Sequence, residues 1–544
     1  MTKKIAAFFF TMFVVVCYAQ EQRPKLVVGI MVDQMRYEYL ERFYSKYSND
    51  GFKRLMNDGF NLKNAHYNYV PTYTGPGHSS VYTGTTPAIH GIIGNDWYDK
   101  NLKKGVNCVN DPTRESVGVQ SEEGHVSPWR LLSSTITDEL KLATQKRSKV
   151  IGISIKDRGA VLPAGHMADA AYWYEDASGT FISSTFYLTK LPQWVDVFNK
   201  KGLPAKYLSQ PWNTLYPIEQ YVESSPDDSP YEQRLGGNKK PVFPYKYEVN
   251  AKTGYGALTA TPFCNDFLTE FALAAVDGEK LGQGDYTDFL AISYSTTDRI
   301  GHAMGPNSVE VEDVYLRLDK NIENLLNQLD AKIGKGNYLV FLSADHAVAD
   351  VAQYLKDSKM PAGYFNDSAV ESNLREFLKK YFPERDLIQN ISNGQVFFNN
   401  DLFQTNPRNS GVDFLIASEL ISKFLLAVDG VANVYTENVL RQARYDEEGL
   451  KGMVIRGYNA KRSGDIAFVL EPGWYSSSQI AGATHGSPYA YDTHVPMLFY
   501  GAGVRKGSSV RYHPVTDIAP TLSMLLRIKF PSGCTGQPVA ELFE

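Results

Sequence analysis

Three apolar runs in this chain lead into acids and imidazoles. "KLVVGIMVD" ends at Asp33, "DFLAISYSTTDRIGH" carries Asp298 and His302, and "NYLVFLSADH" ends at Asp345 and His346. Asp298 and His302 stand four residues apart, so one helical turn sets both on the same face. Asp345 and His346 are adjacent, which suits ligands at a strand end. Carboxylates gathered in one buried place repel and resist ionisation. Divalent cations remove that conflict, and mixed imidazole and carboxylate ligands fit Zn²⁺. A pair of zinc ions would take about six protein ligands, so one more histidine is expected. His485 lies in the glycine-flanked loop "GATHGSPYAYD", where the backbone can come close to an ion. His494, which opens "HVPMLF", is the weaker candidate.

The stretch "PTYTGPGHSS" holds four hydroxyls, Thr72, Thr74, Ser79 and Ser80. Thr74 stands where a helix should begin, and free N–H groups at such an end suit a phosphate-like anion. A cation on its hydroxyl would lower the hydroxyl pKa and make a nucleophile. The plainer reading is a helix N-cap, just as Asp33 or Asp345 taken singly reads as a cap or turn residue. In "IKDRGA", Lys156 and Arg158 would point the same way on an extended segment, with Asp157 turned aside. Together they would favour a phosphoryl dianion. The alternatives for them are a solvated strand end or a salt bridge to Asp157. His78, His90 and His494 read as structural.

These residues need a frame. Near-continuous apolar runs read as strands buried on both faces, hence a parallel or mixed sheet covered by helices. Helical patterns fall between them, in "YEYLERFYSKYSNDGFKRLMNDG" and in "VEVEDVYLRLDKNIENLLNQLDAKIG" with Gly334 as its stop. The expected fold class is α/β, a doubly wound, mostly parallel sheet with helices on both faces. Ligands in such folds bind beyond the carboxyl ends of the strands. That rule gathers Asp33, Lys156, Arg158, Asp298, Asp345 and His346 on one edge. The expected organisation is a signal peptide at 1–19, core at 20–171, an insertion at 172–255, core at 256–362, a second insertion (a β–α–β unit) at 363–464, and core at 465–544.

Composition sets outer limits. The chain has 544 residues, 43% hydrophobic and 21% charged, with formal charge −5. No basic footprint points to nucleic acid as a partner. Lys3 and Lys4 precede a short apolar run and "CYA", the pattern of a secretory signal cut after Ala19. The run is too short to span a membrane. Valines precede Cys17, where a lipoprotein signal wants small residues. Export to the periplasm or the medium is therefore expected. Cys108, Cys264 and Cys534 remain, enough for one disulfide at most and no disulfide scaffold.

The order Asp33, Thr74, Asp298, His302, Asp345, His346, His485 resembles the alkaline phosphatase superfamily. It is most similar to the phosphate-insensitive PafA-type phosphatases, near the nucleotide pyrophosphatase/phosphodiesterases. The stretch "TGPGHSSVYTGTTPAIHGIIGNDWYD" carries much of the resemblance. The resemblance implies Thr74 as nucleophile, with Asp298, His302 and His485 on one zinc. It places Asp33, Asp345 and His346 on the other zinc, with Thr74 as that ion's reacting ligand. Asn95, otherwise a turn residue, would donate to a phosphoryl oxygen. Lys156 and Arg158 would mark a monoesterase, acting on small phosphate monoesters. A phosphodiesterase or pyrophosphatase on the same scaffold is the first rival, and a scaffold that binds without catalysis is the second. A sulfatase would need Cys or Ser followed by x-Pro-x-Arg, which "TYTGPGH" lacks.

Overall fold

The structure, a computed structural model, describes residues 23–247, 249, 254–404 and 414–543. The leader expected at 1–19, with Cys17, lies outside the described residues. The strand Leu26–Val32 is buried along its whole length. It pairs in parallel with Tyr338–Ser343 on one side and Asp288–Tyr294 on the other. Parallel pairing continues from Asp288–Tyr294 to Val150–Ser154 and on to Ala170–Glu175. Both faces of these strands are covered, which is why they read as unbroken apolar runs. Antiparallel strands flank this parallel centre, Met497–Gly501 on one side and Thr180–Ser184 on the other, and further strands lie beyond each. The result is an eleven-stranded, mixed α/β sheet with a parallel centre, in the expected fold class.

Register brings the strand ends level. Met31 pairs with both Ser343 and Ser293, and Ser293 pairs with Ser154. Asp33, Asp345 and Lys156 leave their strands within two residues of those pairs, so all emerge at one edge. Thr296–Met304 follows its strand directly and carries Asp298 and His302.

The long helix Val309–Lys332 begins at Ser308, whose hydroxyl accepts from the Val311 N–H. It stops before Gly334, which takes a left-handed φ of 96°. The other expected helix is broken into Tyr39–Arg42 and Phe52–Asp58. Asp319 of the long helix accepts from the N–H groups of Ser48 and Phe52. A Cβ at Gly51 would lie 2.1 Å from the same carboxylate, so tertiary packing interrupts the helix there.

The stretch expected as the first insertion starts inside the sheet, since Ala170–Glu175 and Thr180–Ser184 are sheet strands. Only the aromatic remainder leaves the sheet. Its Trp212 is fully buried, with the indole N–H on Asp313 of the long helix at 2.7 Å. The second insertion is larger than a β–α–β unit. It is a four-stranded antiparallel sheet, ordered Ile388–Ser392, Gln395–Phe398, Ile466–Leu470, Val431–Thr436. One of those strands lies beyond residue 464. The helices Asp367–Lys379 and Phe414–Leu426 complete a separate apolar core. Cys108, Cys264 and Cys534 are free thiols. Among the described residues no helix is long and apolar enough to cross a membrane.

Candidate active site

Six predicted ligands meet at the sheet edge. Ligand atoms of Asp33, Asp345 and His346 lie within 4.8 Å of one another, and so do those of Asp298, His346 and His485. His302 joins the second group through Asp298, its Nε2 lying 3.1 Å from Oδ1. The imidazoles of His346 and His485 stack with centroids 3.4 Å apart. Asp33, Asp345 and His346 are 0% exposed and Asp298 is 4% exposed.

Each imidazole is oriented by a backbone carbonyl. Nδ1 lies 2.8 Å from Ala483 O in His302, 2.9 Å from Ala347 O in His346, and 2.7 Å from Thr72 O in His485. A carbonyl only accepts, so Nδ1 must carry the proton in all three. Each Nε2 is then left as a lone pair facing carboxylate oxygen, at 3.1–3.8 Å. Acceptor facing acceptor is stable only with a proton or a cation between them. Asp33 Oδ1, Asp345 Oδ2 and His346 Nε2 are out of solvent and have no hydrogen-bond partner among the described residues. This donor set fits bound metal ions, with the carbonyls fixing tautomer and ring direction.

The electrostatics agree. Burial, then the charges of Asp298 and Asp345, push the Asp33 carboxyl up to about 8. Burial would also raise Asp298 and Asp345. Even so, His302 and Lys156 hold Asp298 well below the usual range, and His346 and His78 hold Asp345 below it. Burial, with His346 and His302 beside it, drives His485 far down. The group therefore cannot carry all its negative charge without added positive charge.

Thr74 opens the helix Thr74–Thr83, and the residue in the cap position is Tyr73, with no side-chain cap. The N-cap reading of Thr74 is thereby removed. Asn95 Oδ1 accepts from the Gly75 N–H at 2.7 Å, which ties its carboxamide to the residue after Thr74. The glycines of this motif are needed for space. A Cβ on Gly75 would come 3.1 Å from Cys108 Sγ, and one on Gly77 would come 2.2 Å from the Asp345 carbonyl oxygen.

Lys156 and Arg158 depart from expectation. Lys156 holds the cap position of a helix, Asp157–Ala164, and Arg158 is that helix's second residue, so the segment is not extended. Asp157 does not turn away, because its Oδ1 accepts from the Arg158 N–H at 2.6 Å. Lys156 Nζ lies 2.8 Å from Asp33 Oδ2 and 2.6 Å from Asp298 Oδ2. Burial lowers its pKa, but these two carboxylates raise it above the usual value. Arg158 Nε is buried without a partner, and its guanidinium lies 3.5 Å from Asp157.

Two further neighbours touch the group. His78, which reads as structural, has Nδ1 2.9 Å from Thr74 O and 3.3 Å from Asp345 Oδ2. Its Nε2 lies 2.8 Å from Ser293 Oγ. It ties the threonine's backbone to a candidate ligand, Asp345, and its place one turn after Thr74 is the available signal. Gln34 follows Asp33 directly and donates from Nε2 to Asp298 Oδ1 at 2.7 Å. His90 and His494 stay away from the group, the first on Ser80 and the second on the Lys63 carbonyl.

Comparison with known proteins gives a consistent result. The family model of type I phosphodiesterase/nucleotide pyrophosphatase matches residues 27–492. The chain is 47% identical to the alkaline phosphatase PhoV of Synechococcus elongatus, over 96% of this chain and 93% of that protein. It is 46% identical to the alkaline phosphatase PafA of Elizabethkingia meningoseptica, over 96% and 94%. A crystal structure of wild-type PafA superposes with a TM-score of 0.91 at 45% identity, covering 96% of this chain and 99% of that one.

Proposed function

The chain belongs to the type I phosphodiesterase/nucleotide pyrophosphatase family of the alkaline phosphatase superfamily, and we propose that it hydrolyses phosphate monoesters with two zinc ions and a phosphothreonine intermediate. The activity is that of an alkaline phosphatase, a phosphoric monoester hydrolase. The observation that carries the metal reading is the inward-facing set of three Nε2 lone pairs against buried carboxylates.

Asp298, His302 and His485 would hold one ion, and Asp33, Asp345 and His346 the other, with Thr74 beside it. When bound, the ions supply positive charge that favours an alkoxide at Thr74 and at the departing oxygen. Thr74 Oγ attacks phosphorus in line as its hydroxyl proton passes to water. The Oγ–P bond forms, the ester P–O bond breaks, and the alkoxide departs to be protonated by water. Water then attacks the phosphothreonine, releasing phosphate and restoring the hydroxyl. The Asn95 amide, Arg158 and Lys156, whose Nζ the cations would release from Asp33 and Asp298, would hold the equatorial oxygens through a loose transition state that needs charge placement above all. The charges of Lys156 and Arg158 would favour a dianion over a singly charged diester.

The leader sequence supports export, and the substrates are small phosphate monoesters in the periplasm or the medium. The test is Thr74→Val in the full chain. Turnover should fall by at least about 10³-fold while two zinc ions per chain remain bound. Undiminished hydrolysis would remove Thr74 from the reaction.

A further inference from the structure

Gln34 adopts a left-handed backbone, φ 64°, that residues other than glycine rarely take. It is 2% exposed. This conformation directs two donors of one residue at two different ligands. The backbone N–H donates to Asp345 Oδ1 at 3.1 Å, and Nε2 donates to Asp298 Oδ1 at 2.7 Å. The first bond occupies the Oδ1 of Asp345, leaving Oδ2 toward His78 and His346. The second holds the oxygen of Asp298 nearest to His302 and His485.

A second feature converges on the same contact. Gly301 lies inside the helix Thr296–Met304, between Asp298 and His302, where glycine weakens a helix. Its φ is not left-handed, so the backbone does not require glycine. A Cβ there would lie 2.0 Å from Gln34 Oε1, so glycine is what leaves the carboxamide where it stands. Two unfavourable local choices, a left-handed glutamine and a helical glycine, thus serve one carboxamide. Strain of this kind persists where the surroundings over-determine it, and it clusters at functional sites.

We infer that Gln34 is the positioning residue that fixes the two metal-ligand groups relative to each other, by holding one carboxylate of each. The inference rests on the metal reading above. It concerns the order of the ligands, since Gln34 itself meets neither substrate nor phosphorus.

Gln34→Gly isolates the side chain, because glycine accepts the left-handed backbone and keeps the N–H on Asp345. Gly301→Ala displaces the same carboxamide without touching residue 34. Each full-length variant is loaded with zinc and titrated against a competing chelator. Thermal unfolding of the metal-free chain and kcat and KM for an aryl phosphate are measured alongside. Gln34→Gly should loosen zinc retention by about 10–100-fold and lower kcat with KM little changed. The loss of zinc retention should exceed what any shift of the metal-free midpoint accounts for, which a merely structural glutamine would not give. Gly301→Ala should weaken zinc retention likewise, and the double variant should be no worse than the worse single one. Wild-type zinc retention and kcat in Gln34→Gly overturn the inference. If Gln34→Gly does not fold, the same wild-type result in Gly301→Ala overturns it. A wild-type chain that retains no zinc refutes the metal reading itself, which the same titration reports separately.

Discussion

Gly77→Ala tests how closely the Thr74 helix is fitted to the metal-ligand loop. Gly77 lies in the first turn of that helix and its φ is not left-handed, so alanine suits the backbone. Helix propensity alone would have alanine stabilise the chain by up to about 1 kcal/mol. The structure opposes this. The new Cβ would lie 2.2 Å from the Asp345 carbonyl oxygen and 2.7 Å from the Asp345 Cβ. A relaxed carbon–oxygen contact is about 3.3 Å, so the helix and the loop must separate by roughly 1 Å. Neither neighbour is a flexible side-chain end that could swing clear. Overpacking of this kind costs about 1–3 kcal/mol, so the net effect is destabilisation by up to about 2 kcal/mol. The larger effect falls on rate, because the shift moves Thr74 relative to Asp345. A misplacement of about 1 Å costs on the order of 10²-fold. Steady-state hydrolysis of an aryl phosphate and thermal unfolding of the zinc-loaded variant read both effects. A Gly77→Ala enzyme with wild-type kcat and a raised midpoint would show that the helix has room, and the fitted-motif reasoning would fail.

Two further outcomes are expected. Replacing Lys156 and Arg158 together by Ala should lower kcat/KM for monoesters by about 10²–10⁴-fold, from two charge-assisted hydrogen bonds at about 1.5–3 kcal/mol each. Diester turnover should fall far less, and equal losses would make the pair structural. Asp33 supplies a pH prediction. Its folded pKa of about 8 lies above the ordinary 3.8, so the proton it holds stabilises the metal-free fold at low pH. That contribution is lost as pH rises from 3.8 through about 8. Chelator-treated protein should therefore melt lower at about pH 8.5 than at about pH 7, a window above the range in which His485, His66 and His90, all held low, add stability as pH rises. The zinc-loaded protein should not show that fall, since a cation replaces the proton. A metal-free chain that melts higher at the alkaline pH would contradict the charge reading.

The parts of the site that could be read in advance share one property: local pattern reports them. Asp33, Asp298 and Asp345 stand where buried strands end, and strand burial is written as a run of Val, Ile and Leu. Asp298 and His302 share a face because four residues make a turn. Thr74 and His485 stand in glycine-marked segments, and glycine signals close approach. Lys156 and Arg158 show where such reasoning fails. Their i, i+2 spacing implied an extended strand end, but a helix begins at Asp157, so Lys156 caps it and reaches Asp33 and Asp298 instead. The second insertion failed for a different reason. Its Ile466–Leu470 strand follows a long excursion, and sequence marks no boundary where a chain returns to a partner far away.

The sequence alone determined the α/β class, the residue types of the candidate metal-ligand set and their order along the chain, because each follows from short-range periodicity and side-chain chemistry. The tertiary structure alone decided that His346 touches both acidic groups and that each imidazole turns Nε2 inward. It also made Gln34 link Asp298 to Asp345. Those facts are distances between segments hundreds of residues apart. They are set by sheet register and by backbone carbonyls that carry no side-chain signature, so only the closed chain can specify them.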